Sequence, residues 1–263
     1  MKKILFTISA SILLMMAACD KVDIDDRLTF VEPPQVSCAV LIEDYTGQYC
    51  VNCPRATEEI ERLVNEYGDT TVIAVAIHAG PFSKRQGEFT PLYTAQVDDY
   101  FKHWGLSAQP VGLVDRMLSA QPLDFFDWGM AVNMELEKKA PVSINVYTSS
   151  IDADNYRVNV QLIGLDSARV AGKLQVWLVE DSIDSFQLMP DGKRNEHYNH
   201  MHVFRTTVNG AWGDDVALNH GDVLDKEYTL PLDAAWVIGN CSIVAFVYDD
   251  NEGVRQVTKK KLE

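Results

Sequence analysis

The helical period ends at Pro141, and this break constrains the fold of the 263-residue chain more than any other feature. Before it, strand and helix patterns alternate. Cys38–Tyr45 reads as a strand, and Pro54–Tyr67 sets Ile60, Leu63, Val64 and Tyr67 on one helical face, with Gly68 where a C-cap belongs. Thr71–His78 is a β-rich apolar run suited to a buried parallel strand, Val111–Asp115 is a third short strand, and Asp124–Lys139 is a further helix closed by Pro141. After Pro141 come only short β-branched or aromatic runs: Val142–Thr148, Tyr156–Leu162, Lys173–Val179, His202–Val208, Glu227–Leu232, Ser242–Tyr248 and Val254–Lys259. Strands alternating with helices predict an α/β layer over residues 37–140, and the helix-free remainder predicts an antiparallel β-sandwich of immunoglobulin-like type over residues 141–263. The link from Asp181 to Asn199 is expected to be an extended loop.

With 47% hydrophobic and 23% charged residues the chain is globular rather than disordered or fibrous. Its 38 acidic against 23 basic residues exclude a nucleic-acid binder, which needs a basic surface to displace counterions from phosphates. At the N-terminus, Lys2 and Lys3 precede an uncharged run from Ile4 to Ala18, followed by Cys19. A positive start, a short apolar stretch and small residues before a cut make a secretory signal, and the run falls short of the ~20 residues that span a bilayer. Cys19 after small residues resembles the lipobox of bacterial lipoproteins. That resemblance implies a signal peptide over 1–18, lipidation at Cys19 and a membrane partner reached through the lipid. Residues 19–36 are then an acidic tether carrying Asp20, Asp23, Asp25 and Asp26, and loss of Lys2 and Lys3 takes the formal charge from −15 to −17.

The candidate chemistry lies at Cys50-Val51-Asn52-Cys53-Pro54. A Cys-x-x-Cys pair after a strand and opening a helix puts both sulfurs in the first helical turn. There the unpaired N–H groups and the positive dipole end favour the thiolate that disulfide exchange requires. Pro54 is tolerated because first-turn N–H groups have no intrahelical acceptor. The stretch resembles the thioredoxin family. Asp44 lies six residues before Cys50, at the end of the preceding strand, Tyr49 precedes the first cysteine, and Gln109-Pro110-Val111 looks like a cis-proline loop. The resemblance implies an exposed attacking Cys50, a resolving Cys53, Asp44 as acceptor of the Cys53 proton, and Pro110 as backbone ledge for a docking chain. It departs in the Val51-Asn52 dipeptide and in a longer connection before Pro110. Beside it stand plainer alternatives: a static Cys50–Cys53 disulfide, an Asp44 that caps or faces water, and a trans Pro110. Two cysteines alone make a poor zinc site, and no cofactor is expected.

Other residues carry weaker signals. Cys38 and Cys241 are either a disulfide between the two halves or buried free thiols. His197, His200 and His202 can be read as a metal cluster with Asp191 or Glu196, or as hydrogen-bonded loop residues; His200 and His202 share a face if the chain is extended. His78 ends a buried strand, Arg205 is expected to pair with a carboxylate, and Trp177, Trp212 and Trp236 belong to core or rim. No Gly-x-Ser-x-Gly elbow or His-Glu-x-x-His helix supports a hydrolase.

The order of parts, with the His200–Arg205 stretch, resembles the 28-kDa outer-membrane-protein (Omp) lipoproteins of Bacteroidetes. That implies an outer-membrane, lipid-anchored location on the periplasmic or cell-surface face. Two functions follow: thiol–disulfide exchange on envelope proteins, or non-enzymatic binding and adhesion to a surface partner with a structural Cys50–Cys53 bond.

Overall fold

The computed structural model describes residues 36–262; the expected signal peptide, Cys19 and the tether up to residue 35 lie outside the described residues. Strands β1 (Val40–Thr46) and β2 (Val72–His78) run parallel, from Val40 opposite Val72 to Thr46 opposite His78. Helix α1 (Cys53–Tyr67) crosses between them, burying Ala56, Ile60 and Leu63, and stops at Gly68, whose φ of 92° lets its N–H reach the Val64 carbonyl at 2.8 Å. A small hairpin, β3 (Lys84–Arg85) and β4 (Glu88–Phe89), and helix α2 (Val97–His103) lead to β5 (Val111–Val114), antiparallel to β1. Helices α3 (Met117–Ala120) and α4 (Trp128–Leu136) follow. The helix expected over Asp124–Lys139 is shorter because Phe125–Asp127 form a 3-10 turn, capped by Asp124 accepting from the Phe126 N–H at 3.1 Å.

The remaining chain is strands and connecting turns, with one 3-10 turn at Ile238–Asn240: β6 (Val142–Ser150), β7 (Asn155–Gly164), β8 (Val170–Glu180), β9 (Ile183–Leu188), β10 (Arg194–His200), β11 (Val203–Thr207), β12 (Asp214–Leu218), β13 (Val223–Pro231), β14 (Cys241–Asp249) and β15 (Gly253–Lys261). The protein is thus mainly β, with several antiparallel pairings. The main sheet has the order β15-β14-β8-β11-β2-β1-β5, with β12 also on β8. The strands before and after Pro141 therefore meet in one sheet. Their junction is narrow, with Val203 of β11 opposite Ala76 of β2 and the Ala76 N–H donating to the His202 carbonyl at 2.8 Å. The predicted loop at Asp181–Asn199 is instead the β9–β10 hairpin, a two-stranded sheet of its own, and β12 was not expected.

Three apolar clusters fill the layers, and strand alternation sorts the side chains among them. Val40 and Ile42 of β1 meet Ile60 and Leu63 of α1 and Trp128 of α4. Leu41 and Tyr45 point the other way, toward Tyr100, Trp177 and Phe246. On β8 and β14, Leu174, Val176, Leu178, Ile243, Ala245 and Val247 face a three-stranded sheet, β13-β7-β6, whose Val146, Val158, Val160 and Leu162 complete that core. Cys38 and Cys241 are both free and buried rather than bridged. Burial pushes their thiols up to about 11 and about 12, with nearby carboxylates adding to the shift, so neither is a nucleophile at neutral pH.

At Asp115 and Arg116 the chain turns through two left-handed residues, with φ of 45° and 50°. The Arg116 guanidinium, 3% exposed, pairs with Glu43, 1% exposed, at 2.6 Å. It also lies over Trp104, Phe246 and Tyr248 at 4.9, 5.0 and 4.3 Å from their centroids. Asp115 takes the Leu41 N–H on its side-chain Oδ1 at 2.7 Å and the Val254 N–H on its carbonyl at 2.6 Å. Removing one partner of such a pair strands the other as a buried charge, which costs roughly 3–5 kcal/mol. Glu43→Ala is expected to lose about that much stability in denaturant titration at pH 7, whereas a loss below about 1 kcal/mol would show that the pair does not hold the sheet.

Candidate functional site

The loop from β1 into α1 carries the cysteine pair. Cys50 and Cys53 form a disulfide, with Cα atoms 5.4 Å apart, at the N-terminal turn of α1. The Cys50 N–H donates to the Gly47 carbonyl at 3.0 Å and the Cys53 N–H to Cys50 Sγ at 3.1 Å, so the turn is closed by its own backbone. Gly47 is required by close approach: a Cβ there would lie 2.7 Å from the Phe82 carbonyl carbon. The expectation of an exposed Cys50 is corrected by the structure. Cys50 and Cys53 are each 2% exposed, although Val51 and Asn52 between them face solvent.

The β9–β10 hairpin packs on this loop. Gln187 Nε2 donates to the Cys50 carbonyl at 3.0 Å, and the Leu188 N–H to the Gln48 carbonyl at 2.8 Å. Gln48 returns two bonds, to Ser185 Oγ at 3.0 Å and the Phe186 carbonyl at 2.7 Å, while Tyr49 and Phe186 pack ring to ring at 5.2 Å.

Asp44, Cys53, His78, Gln187, Tyr198 and His200 line one cavity of about 20 Å³, a volume that suits a single water molecule. Asp44 is 1% exposed and its Oδ1 has no hydrogen-bond partner; burial pushes its carboxyl up to about 8. His78 Nδ1 is equally unpartnered, and burial holds that imidazole well below its ordinary range, with His200 adding to the effect. The two rings meet edge to face at 5.4 Å. Burial brings His200 down to about 4, opposed by its 3.2 Å contact to the Phe186 carbonyl. At neutral pH the cluster is therefore a neutral acid beside two neutral imidazoles.

Pro110 follows a cis peptide bond from Gln109. The Gln109 side chain donates to the Thr46 carbonyl and to the Ala79 carbonyl at 2.8 Å, and accepts from the Phe82 N–H at 3.3 Å. Val111 pairs with Tyr45, so Pro110 sits at the sheet end from which β1 runs into the cysteine loop.

The histidine cluster does not converge. His197 bonds Asp184 at 3.1 Å on the surface, and His200 turns inward to His78. The shared face expected of His200 and His202 is lost because β10 ends at His200 and His202 takes a left-handed φ of 57°, its N–H bonded to Asp181 at 2.7 Å. Among the described residues no group of His, Cys, Asp and Glu is arranged to hold a metal. Arg205 pairs with Glu180 at 2.7 Å, Trp177 is fully buried, and Trp212 and Trp236 are half-buried against the core. Sequence reading missed Gln48, Gln187 and Tyr198 and did not join His78 to His200.

Because Asp44 keeps its proton to about pH 8 when folded but only to about 4 when unfolded, the folded state binds the extra proton across that window. Against the opposite slope that the lowered His78 and His200 give below about 6.5, Asp44 contributes stability at low pH that is lost as pH rises from about 4 to about 8. Asp44→Asn is expected to flatten this slope and to stabilise the oxidised protein at pH 8 by a few kcal/mol, at roughly 1.4 kcal/mol per pKa unit. Parallel stability–pH curves for the two proteins would contradict it.

The model of a family described as outer membrane protein Omp28 matches residues 97–263. Among solved structures, HBP35 of Porphyromonas gingivalis superposes with a TM-score of 0.64 at 15% identity, covering 86% of this chain and 76% of that one. A protein of Agrobacterium tumefaciens gives 0.53 at 14% identity, over 86% of this chain and 95% of that one. At these identities the likeness shows the fold alone. A domain of the outer membrane lipoprotein Omp28 from Porphyromonas gingivalis is 27% identical over 47% of this chain and 89% of that one, with a TM-score of 0.35. No curated protein matches. Since the family model covers more than half of the chain, this protein belongs to the Omp28 family of outer membrane proteins and resides in the outer membrane.

Proposed function

We propose that this outer membrane protein exchanges thiols and disulfides with other envelope proteins. In this reading residues 37–140 are a thioredoxin-like domain, residues 141–263 a β-sandwich of immunoglobulin-like type, and Cys19 the lipidated anchor after removal of residues 1–18. The observation that carries the reading is the buried Asp44 carboxyl, protonated up to about pH 8, on the same water-sized cavity as Cys53. The cis Pro110 at the same sheet end adds support.

Starting from the disulfide, a donor thiolate attacks Cys50 Sγ and the Cys50–Cys53 bond breaks. Cys53 leaves as a thiolate and takes the proton of the neutral Asp44 carboxyl. A second donor thiol then attacks the mixed disulfide, freeing Cys50; the donor pair ends oxidised and the protein pair has gained two electrons. In reverse, the Asp44 carboxylate takes the Cys53 proton and the Cys53 thiolate resolves the mixed disulfide at Cys50.

A second reading is favoured by one observation, the 2% exposure of each cysteine. In it the bond is structural and the protein is a binding or adhesion lipoprotein.

The two readings separate in a turnover assay with a model protein disulfide and a small dithiol as electron source. Exchange predicts catalysis that Cys50→Ser abolishes and that Asp44→Asn slows, with the largest deficit where Cys53 must be deprotonated. A wild-type rate no greater than that of Cys50→Ser would leave the binding reading.

A further inference from the structure

We propose that the β9–β10 hairpin is an autoinhibitory strap that must lift before any thiol can reach Cys50; this rests on reading the pair as an exchange site. The disulfide is buried, and one of the segments packed on its loop lies far from it in sequence. The turn from Gly47 to Cys53 lies at the surface end of β1 and α1, and Val51 within it is 37% exposed. That segment is the hairpin, more than 130 positions later in the chain: Gln187 reaches the Cys50 carbonyl across 137 positions.

Three features mark this cover as a separable device. First, β9 and β10 pair only with each other, and their ladder is broken between Asn195 and Tyr198. An isolated two-stranded hairpin is marginal in water, so it holds its place largely through what it touches. Second, the strap binds the cysteine loop through a few polar contacts, namely Gln187 to Cys50 and to Gly47, Leu188 to Gln48, and Gln48 back to Ser185 and Phe186. Gln48 is fully buried and Gln187 is 3% exposed, so these amides are latched in the closed state and bond water when it opens. Third, the ring contact between strap and cysteine loop, Tyr49 on Phe186, is flanked by cations, Arg85 at 5.3 Å from one ring and Arg194 at 3.8 Å from the other, and the strap's inner ring contact is the small His200 imidazole on His78. A seam with a wet, charged rim opens locally without exposing the main cores.

Opening would do two things. It would uncover Cys50 Sγ for in-line attack by a donor thiolate, and it would withdraw Gln187, Tyr198 and His200 from the cavity wall beside Cys53 and Asp44. Access and the environment of the acid would change together. A partner that competes for the Gln48 carbonyl with its own backbone N–H would lift the strap, which makes an extended polypeptide a better opener than a small thiol.

The test measures how fast dithiothreitol reduces Cys50–Cys53 in the folded protein, with free thiols trapped by alkylation and counted by mass. Dithiothreitol supplies the two electrons and ends as its cyclic disulfide. Gln187→Ala and Phe186→Ala should each speed reduction by about tenfold. Val216→Ala, a core truncation in β12 away from the strap, should leave the rate within about twofold although it lowers global stability. Hydrogen exchange supplies a second measurement: the Leu188 amide should exchange far faster than those of β14. The proposal is overturned if both strap variants reduce at the wild-type rate, if Val216→Ala accelerates reduction as much as they do, or if Leu188 exchanges as slowly as β14. Fast reduction of the strap variants without any turnover on a protein disulfide would keep the strap and remove the exchange function. Turnover together with unchanged reduction rates would do the opposite.

Discussion

A buried ion pair in an aromatic cage joins the two halves of the main sheet. Arg116 can be desolvated only where Glu43 neutralises it and where Trp104, Phe246 and Tyr248 offer their ring faces. Those partners come from β1, the segment after α2, and β14, so the corner is stable only when strands from both sides of Pro141 are already in place. Asp115 adds backbone bonds to β1 and to the start of β15. The single register pair between β2 and β11 is too small a seam to align two layers by itself; the Asp115–Arg116 corner supplies the missing constraint.

The alignment has a consequence at the far end of the sheet. With β11 placed between β8 and β2, the chain leaving β8 at Glu180 passes through β9 and β10 before entering β11, so the intervening hairpin is brought over the end of β1 and β2. There it meets Gln48, Cys50, Asp44 and His78. The cysteine pair, the acid and the two imidazoles thus come from four elements, and one of them, β10, arrives from the second half of the chain. The acid and both imidazoles are buried away from bulk water, which is why Asp44 holds its proton and the imidazoles shed theirs.

What sequence reading reached was local. Pro54 and Gly68 punctuate α1, the apolar runs at Val40 and Val72 declare buried strands, and Gln109-Pro110 stands out by type and position. Each carries its own conformational chemistry. The strap reads as a loop because its outward residues are polar and its alternation is weak, although Pro190-Asp191-Gly192 is a turn signal that marks a hairpin, with Gly192 at a φ of 78°. Arg116 was illegible for a different reason. An Arg after an Asp reads as solvated surface, and only the packing of strands far apart in sequence turns it into a buried cation. The exposure of Cys50 failed likewise: the first helical turn predicts its chemistry, but a distant hairpin decides who can reach it.

In the proposed exchange function the Cys50–Cys53 bond is made and broken in use. The most direct test is the reduction potential of that couple, measured by equilibration of the intact protein against defined thiol–disulfide buffers. Exchange predicts a value within the range of dedicated exchange proteins, about −120 to −270 mV, and a value below about −300 mV would mark a permanent structural bond and contradict the account.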